Sequence, residues 1–447
     1  MSEYWNPQME TMKKEEMDEI QLKRIKAIVG YAYRESQFYN ELFDEVGVKP
    51  EDIKTYDDFR KKIPLFRKDQ IRDRRAETGD PFGTMLTVPV DQIERIHPST
   101  GTTGAPTFTA LTSEEVQVGG EPCARFGWMW KIRPGMRLLS AIHFVGFWHW
   151  WSTFLGVLMS NKLGTNTELI AYNAYLHLFG FPTERMSLGK FSGDWALLPP
   201  DTALAAINEF ARMGKDPKDM IPGLKYVTSA GEAISPKHRN YLKEKFGLID
   251  WFDAWGCSDP FTLSGECYVH EGAHTYSDYW ALELIDTETE ELLAPGESGE
   301  VVSTNLWMRA LPFVRFGTED FGELTDEVCE CGRTHPRVKV FDRASWVLDV
   351  AGKKISPFAL RLIMERQPET EEASFNILKY AKKMDSLRIK ASYRVDITKD
   401  PEELKQRLAA DIKKELGVEA EIEWVPYEEL HKTLHKITRM VDLTKES

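Results

Sequence analysis

Five hydroxyl side chains and two glycines share the nine residues Ser99-Thr100-Gly101-Thr102-Thr103-Gly104-Ala105-Pro106-Thr107. The chemistry they suit is holding phosphate. Glycine lets the backbone approach closely and take positive φ, so that successive N–H groups converge on an anion while Ser and Thr add further donors. The stretch lacks the Gly-Lys-Ser/Thr ending of a P-loop, which excludes a Walker-type site. An ordinary Ser/Thr-rich surface turn is the competing reading. A second set, Cys267, His274, Cys329 and Cys331, offers four soft or borderline ligands, two of them in a C-x-C turn followed by Gly332. Such a set makes a closed tetrahedral zinc site, structural because no position stays open for catalysis. His270 competes as a ligand, and scattered reduced thiols are the alternative. Cys123 and Cys257 are left over and read most simply as core thiols.

These groups need elements to position them. A chain of 447 residues suits a large domain plus a smaller one. Residues 9–46 carry apolar side chains three or four apart, which predicts one or two amphipathic helices closed by Gly47 and Pro50. Strand-like 224–228, helix-like 236–246 and strand-like 249–252 alternate as in an α/β sheet with helical crossovers. Residues 280–286 and 299–305 read as antiparallel strands of a smaller added β unit, with a turn at Ala294-Pro295-Gly296. Past Arg343, strands at 346–350, 386–395 and 420–425 and helices at 357–367 and 401–416 make a charged α+β portion. The fold class is α/β, with a large domain at 1–342 and a small, mobile α+β domain at 343–447.

A net charge of -14 and a pI near 5.4 oppose a grip on nucleic acid or an anionic membrane. Five cysteines, an odd and sparse number, point to a reducing compartment, and the charged N-terminus has no signal-peptide core. A cytoplasmic enzyme is expected. Residues 138–161 contain no Asp, Glu, Lys or Arg and are long enough to span a bilayer. His143, His149 and the cluster from Trp148 to Trp151 argue instead for a buried helix lining an aromatic pocket.

The glycine-hydroxyl stretch resembles the phosphate loop of adenylate-forming enzymes, in particular phenylacetate-CoA ligases, which reads close to SSGTTGKPT. The resemblance continues in order over nearly the whole chain. Ser229-Ala230-Gly231-Glu232-Ala233-Ile234-Ser235 resembles the family's adenine-binding turn, although Ser235-Pro236 also reads as a helix cap. Trp255-Gly256-Cys257-Ser258-Asp259 stands where the family has an aromatic against adenine, a hydroxyl at the phosphate and a glutamate on magnesium. Asp259 is the shorter acid. Arg315-Phe316-Gly317-Thr318-Glu319-Asp320 resembles the segment whose last aspartate binds the ribose hydroxyls. Arg343 matches the hinge arginine, and Lys436 the late lysine that reaches carboxylate and α-phosphate during adenylation.

The resemblance implies ATP with Mg2+, a carboxylic acid and coenzyme A as ligands. It places ATP at Ser99, Thr100, Gly101, Thr102, Thr103, Gly104, Gly231, Glu232, Ala233, Trp255, Gly256, Ser258 and Asp320. It places the acyl pocket at His143, Phe144, Phe147 and Cys257, among aromatics that include Trp128, Trp130, Trp148, Trp150 and Trp151. Flat walls suit an aromatic acid. The implied reaction is adenylation of that acid and acyl transfer to coenzyme A, with a homodimer as the assembly to test. Three departures stand out. Ala105 replaces the lysine that ends the family's loop, so a positive charge near the β- or γ-phosphate is missing. Ser345-Trp346 replace two aspartates after the hinge arginine. Gly352-Lys353-Lys354 replace glycine, valine and asparagine, and Lys353 with Lys354 offers coenzyme A's phosphates a basic spot. Rivals that share the ATP motifs are a ligase with a non-CoA acceptor, as in F390 synthetase relatives, and a degenerate binding protein.

Overall fold

The computed structural model describes residues 2–99, 105–140, 159–168, 193–220, 223–430 and 439–445. The chain starts with helices Pro7–Glu10, Lys14–Glu35 and Gln37–Glu45. Ile25, Ile28, Val29 and Ala32 recur on one helical face and are buried against Phe38, Tyr39 and Phe43. Helix Lys68–Thr78 follows and stops at Gly79, whose φ of 73° a residue with a Cβ rarely adopts. Strands Ile93–Pro98 and Phe108–Thr112 then pair antiparallel, so the glycine-hydroxyl stretch joins the two arms of a hairpin.

The main sheet has eleven described strands. Arg137–Ser140, Asn166–Glu168, Trp195–Leu197, Tyr226–Ala230 and Asp250–Cys257 run parallel. Thr262–Glu266 and Ala273–His274 continue it antiparallel to Arg337–Arg343, Phe316–Thr325, Ser298–Asn305 and Trp280–Ile285. The expected added β unit is present as antiparallel strands that hydrogen-bond into the same sheet, bridged by the two short strands at 262–274. Crossover helix Pro236–Phe246 fits the sequence reading, with Ser235 accepting from His238 N at its start and Gly247 at φ 67° closing it.

The expected helix at 138–161 is corrected at its start. Arg137–Ser140 is a strand, residues 159–161 lie in helix Met159–Leu163, and residues 141–158 lie outside the described set. Leu138 is buried in strand Arg137–Ser140, which pairs with Trp195–Leu197 on one side and Asn166–Glu168 on the other, and parallel strands flanked in this way carry continuous apolar runs. Among the described residues, no helix is long and apolar enough to cross a membrane.

After Arg343 the strands form two small sheets. One joins Lys353–Ile355, Leu348–Val350 and Lys383–Met384, and the other joins Glu419–Trp424, Ser386–Ala391, Phe375–Lys379 and Met440–Asp442. Helices Pro357–Met364 and Pro401–Leu416 cover them around a core that includes Leu360, Phe375, Leu404 and Leu408. Residue 346, expected in a strand, ends a 3-10 turn, Ala344–Trp346, and the strand begins at Leu348.

Candidate active site and metal cluster

Ser99 and Thr107 clasp the neck of the glycine-hydroxyl turn. Ser99 N–H donates to the Thr107 carbonyl at 2.8 Å, and Thr107 returns its own N–H to Ser99 Oγ at 3.0 Å. Thr100, Gly101, Thr102, Thr103 and Gly104 lie outside the described residues. The Thr107 hydroxyl donates to the Asp259 carboxylate, and the Thr109 hydroxyl reaches the carbonyls of Ser258 and Asp259 at 3.1 and 3.0 Å. The hairpin is thus fastened to the turn that follows strand Asp250–Cys257.

A residue that sequence reasoning missed completes this corner. Lys68 Nζ lies 2.9 Å from Asp259 Oδ2, with the two side chains only 6% and 0% exposed. Burial pulls the Lys68 ammonium down, but Asp259, helped by Cys257, outweighs it and the pKa is raised. Both Asp259 oxygens are engaged, one by the Thr107 hydroxyl and the other by Lys68; a carboxylate is the kind of hard oxygen donor that suits magnesium.

Next to it, Asp320 and Arg343 are cross-strand partners. Trp255 Nε1 donates to Asp320 Oδ2 at 3.0 Å and Arg343 Nε lies 3.1 Å from Oδ1. Arg343 also donates to the Thr318 carbonyl at 3.0 Å. Cys257 is buried between these groups, and burial with the neighbouring Asp259 pushes its thiol up to about 12. Arg315 turns away from this corner to Glu283, at 3.2 Å, and to the Ile63 carbonyl.

At the end of strand Tyr226–Ala230 the chain turns through Gly231, whose φ is 102°. Glu232 Oε1 is held by Arg361 Nη1 at 3.2 Å and by Arg439 Nε and Nη2, both at 2.7 Å. Arg361 donates also to the Ala233 carbonyl at 2.8 Å and pairs with Glu365 at 2.6 Å. Both arginines come from beyond residue 343. From beneath, Asp253 accepts from Ser229 Oγ at 3.0 Å, and burial together with Glu266 pushes its carboxyl up to about 7.

Not every expected residue joins this place. Lys353 and Lys354 are exposed, and Lys354 pairs with exposed Glu288 at 2.8 Å. Trp130 stacks on Trp195 in the core, with ring centroids 6.3 Å apart, so packing accounts for it. His143, Phe144, Phe147 and Lys436 lie outside the described residues, as do Trp148, Trp150 and Trp151.

The cysteine set converges elsewhere. One donor atom from each of Cys267, His274, Cys329 and Cys331 lies within 4.8 Å of all the others, and all four residues are buried. Cys267 and Cys329 Sγ are 3.7 Å apart, and Cys331 Sγ is 3.4 Å from His274 Nε2. Thiolates at zinc-bond length and tetrahedral angles stand about 3.8 Å apart, whereas a disulfide needs about 2 Å. His274 Nδ1 faces the His335 carbonyl at 3.4 Å, which leaves Nε2 for a metal. Bonds with Cys267 and His274 pull the Cys331 thiol strongly down, while its partner Cys267 is pushed up. His270 is not in the set: it bridges Glu266 and Asp250, both at 3.1 Å.

Comparison with known proteins finds the AMP-binding enzyme C-terminal domain over residues 352–444. The phenylacetate-coenzyme A ligase of Thermus thermophilus is 27% identical, the match covering 99% of this chain and 100% of that one. That of Aromatoleum evansii is 28% identical over 97% of this chain and 96% of its own. Among solved structures, a 2-hydroxyisobutyryl-CoA ligase in its postadenylation state superposes with a TM-score of 0.86 at 22% identity, covering 100% of this chain and 93% of the other.

Proposed function

We propose that this chain, which belongs to the phenylacetate-coenzyme A ligase family of adenylate-forming enzymes, activates an aryl or arylacetic acid with ATP and passes the acyl group to coenzyme A. AMP and pyrophosphate are the other products. The observation that carries the site assignment is the meeting of Trp255, Asp320 and Arg343 with Asp259 and the neck of the glycine-hydroxyl turn. Those groups match, in kind, the base, ribose and phosphates of one nucleotide.

In this reading ATP lies with its adenine between Gly231-Glu232-Ala233 and Trp255. Its ribose diol meets Asp320, which a carboxylate can hold through two hydrogen bonds. Its phosphates meet the turn from Ser99 to Gly104 and the hydroxyl of Ser258. Asp259 would hold magnesium, which neutralises phosphate charge. Arg343 and Lys436 face the α-phosphate and the acid's carboxylate, where charge develops as pyrophosphate leaves. No side chain acts as nucleophile: the protein brings two anions together and neutralises them. His143, Phe144, Phe147 and Cys257 form the acyl pocket, and Lys353 with Lys354 receive the phosphates of coenzyme A. The Cys267, His274, Cys329 and Cys331 set would hold structural zinc. Residues 1–342 make the large domain and 343–447 the mobile one.

The test is a screen of aryl and arylacetic acids for AMP and pyrophosphate release, run with and without coenzyme A. The reading expects acid-dependent pyrophosphate in both and a thioester only with coenzyme A. Adenylate formed but passed to another acceptor would replace the second half of the reading. No acid-dependent pyrophosphate from any acid would overturn it.

A further inference from the structure

Arg361 lies on helix Pro357–Met364, beyond Arg343, and its side chain is only 2% exposed. A guanidinium keeps its charge at any ordinary pH, so burying one demands acceptors close by. One of them is local: Glu365, a turn further along the chain, at 2.6 Å. Others lie across the junction, on residues that precede 343. Nη1 is 3.2 Å from Glu232 Oε1 and donates to the Ala233 carbonyl at 2.8 Å, while Nη2 donates to His238 Nδ1. Arginine can only donate, so that ring nitrogen carries no proton. Burial first, then the Arg361 charge, holds the His238 pKa well below its ordinary value, which keeps the ring a neutral acceptor.

The rest of the junction gathers at the same helix end. Ser235 Oγ accepts from His238 N at 3.0 Å at the start of helix Pro236–Phe246, and the same hydroxyl donates to Glu365 Oε2. Lys237 Nζ donates to the Glu365 carbonyl. Ser235, His238, Arg361 and Glu365 are all buried. If the two sides separated, Arg361 and Glu365 would stay paired with each other, whereas Glu232 and the Ala233 carbonyl would each lose a donor. The turn Gly231-Glu232-Ala233 is therefore braced from the far side of the junction.

We propose that Arg361 couples nucleotide binding to the docking of residues 343–447, by bracing Glu232 and the Ala233 carbonyl in the shape that receives adenine. Arg361 is a positioning residue, since it acts through the turn. The inference rests on the proposed function, which puts adenine at Gly231-Glu232-Ala233. Coupling of this kind is reciprocal: whatever loosens docking weakens the nucleotide by the same factor, and the nucleotide restores docking.

The test reads both sides of that relation in the full chain, with AMP as the probe. Arg361→Gln should raise the Kd for AMP about tenfold in calorimetry, which corresponds to about a tenth of the molecules remaining docked without nucleotide. Small-angle scattering should then give a larger radius of gyration than the parent's, returning to the parent's value at saturating AMP. His238→Leu removes one acceptor across the junction and leaves the residues of the turn unaltered. It should move both readings in the same direction, with Kd raised about threefold, and it decides the matter if Arg361→Gln does not melt cooperatively. Arg366→Gln should change neither reading, because Arg366 pairs with Glu415, also beyond 343. A weaker Kd with the parent's radius, a larger radius with the parent's Kd, or an expanded form that AMP does not compact would each overturn the inference while leaving the parent's activity intact. Failure of the unaltered protein to bind AMP would instead overturn the placement of adenine on which the inference rests.

Discussion

The indole N–H of Trp255 donates to Asp320 Oδ2 at 3.0 Å, so the ring proposed to face adenine and the acid proposed to hold ribose are already joined. Arg343 holds the second oxygen from the neighbouring strand at 3.1 Å. The carboxylate is thereby oriented before any nucleotide arrives, which lowers the ordering cost of binding. Asp320→Asn keeps the shape but loses the charge-assisted bonds. It should cut kcat/KM for ATP by about 100-fold, near 2.7 kcal/mol, with folding retained in thermal melts. Trp255→Phe keeps the ring and loses only the tether, so a fall of about fivefold is expected. Equal effects of the two would place Asp320 away from ribose.

The thiol-imidazole cluster makes a prediction independent of catalysis. Tyr4 Oη donates to the Cys331 carbonyl at 2.9 Å, Arg333 Nε donates to Glu10 at 2.9 Å and the Thr334 hydroxyl reaches the Met12 carbonyl. The first dozen residues are thus strapped over the turn that carries Cys329 and Cys331. Elemental analysis should find one zinc per chain, and removing it with a strong chelator should lower the melting temperature by roughly 5 °C or more. Cleavage of the N-terminal strap by a protease should quicken in the same step. His270→Ala should leave zinc content unchanged, since that ring is engaged by Asp250 and Glu266.

What the sequence made legible follows the range of the interactions. Helix 236–246 was readable because Ser235, Pro236 and Gly247 are local signals, and the structure shows Pro236–Phe246. The cluster of three cysteines and a histidine was readable by type, although its halves lie some 60 residues apart, at 267–274 and 329–331. Lys68 was not readable. It sits in a run, Lys-Asp-Gln-Ile-Arg-Asp-Arg-Arg, that looks like any solvated helix face, and only tertiary contact with Asp259 buries it. That the late antiparallel strands join the main sheet was equally hidden, because one of the two strands that bridge them, Ala273–His274, has just two residues. Glu232 was read as part of a nucleotide turn, and nothing local signalled that Arg361 and Arg439 would reach it.

Asp342 closes the main sheet and accepts from Phe358 N at 2.9 Å, joining it to helix Pro357–Met364. Burial pushes its carboxyl up to about 7, against the lesser pull of bonds from Phe358 and Ser356. The folded protein therefore keeps this proton up to about pH 7, while the unfolded chain releases it near pH 4. Between those values the folded state binds more protons, so this group's contribution to stability falls as pH rises and is level above about 7. Three pKa units would be a ceiling of about 4 kcal/mol, and partial exposure of the side chain reduces the expectation to roughly 1–2 kcal/mol. Asp342→Asn, a neutral isostere, should match the parent in denaturant unfolding near pH 4.5 and exceed it at pH 8. A constant difference across that range would show that Asp342 does not titrate there.

Arg439 binds Glu232 through two nitrogens at 2.7 Å and the Ala373 carbonyl at 2.5 Å, with its guanidinium 4.7 Å from the centre of the Phe375 ring. It is the first described residue after 431–438 and stands three positions past Lys436. The pair ties the chain just before strand Met440–Asp442 to the turn proposed to bind adenine. If that lysine serves adenylation alone, loosening the tie must harm one half-reaction and spare the other. Arg439→Gln should slow adenylation about tenfold, near 1.4 kcal/mol, and leave acyl transfer from a supplied adenylate within twofold. Glu232→Gln should reproduce this, and the double variant should lose little more than either single one, because both remove the same contact. A purely structural arginine predicts something different: equal losses in both half-reactions, additive with Glu232→Gln, since the Ala373 and Phe375 contacts would then matter in place of the ion pair.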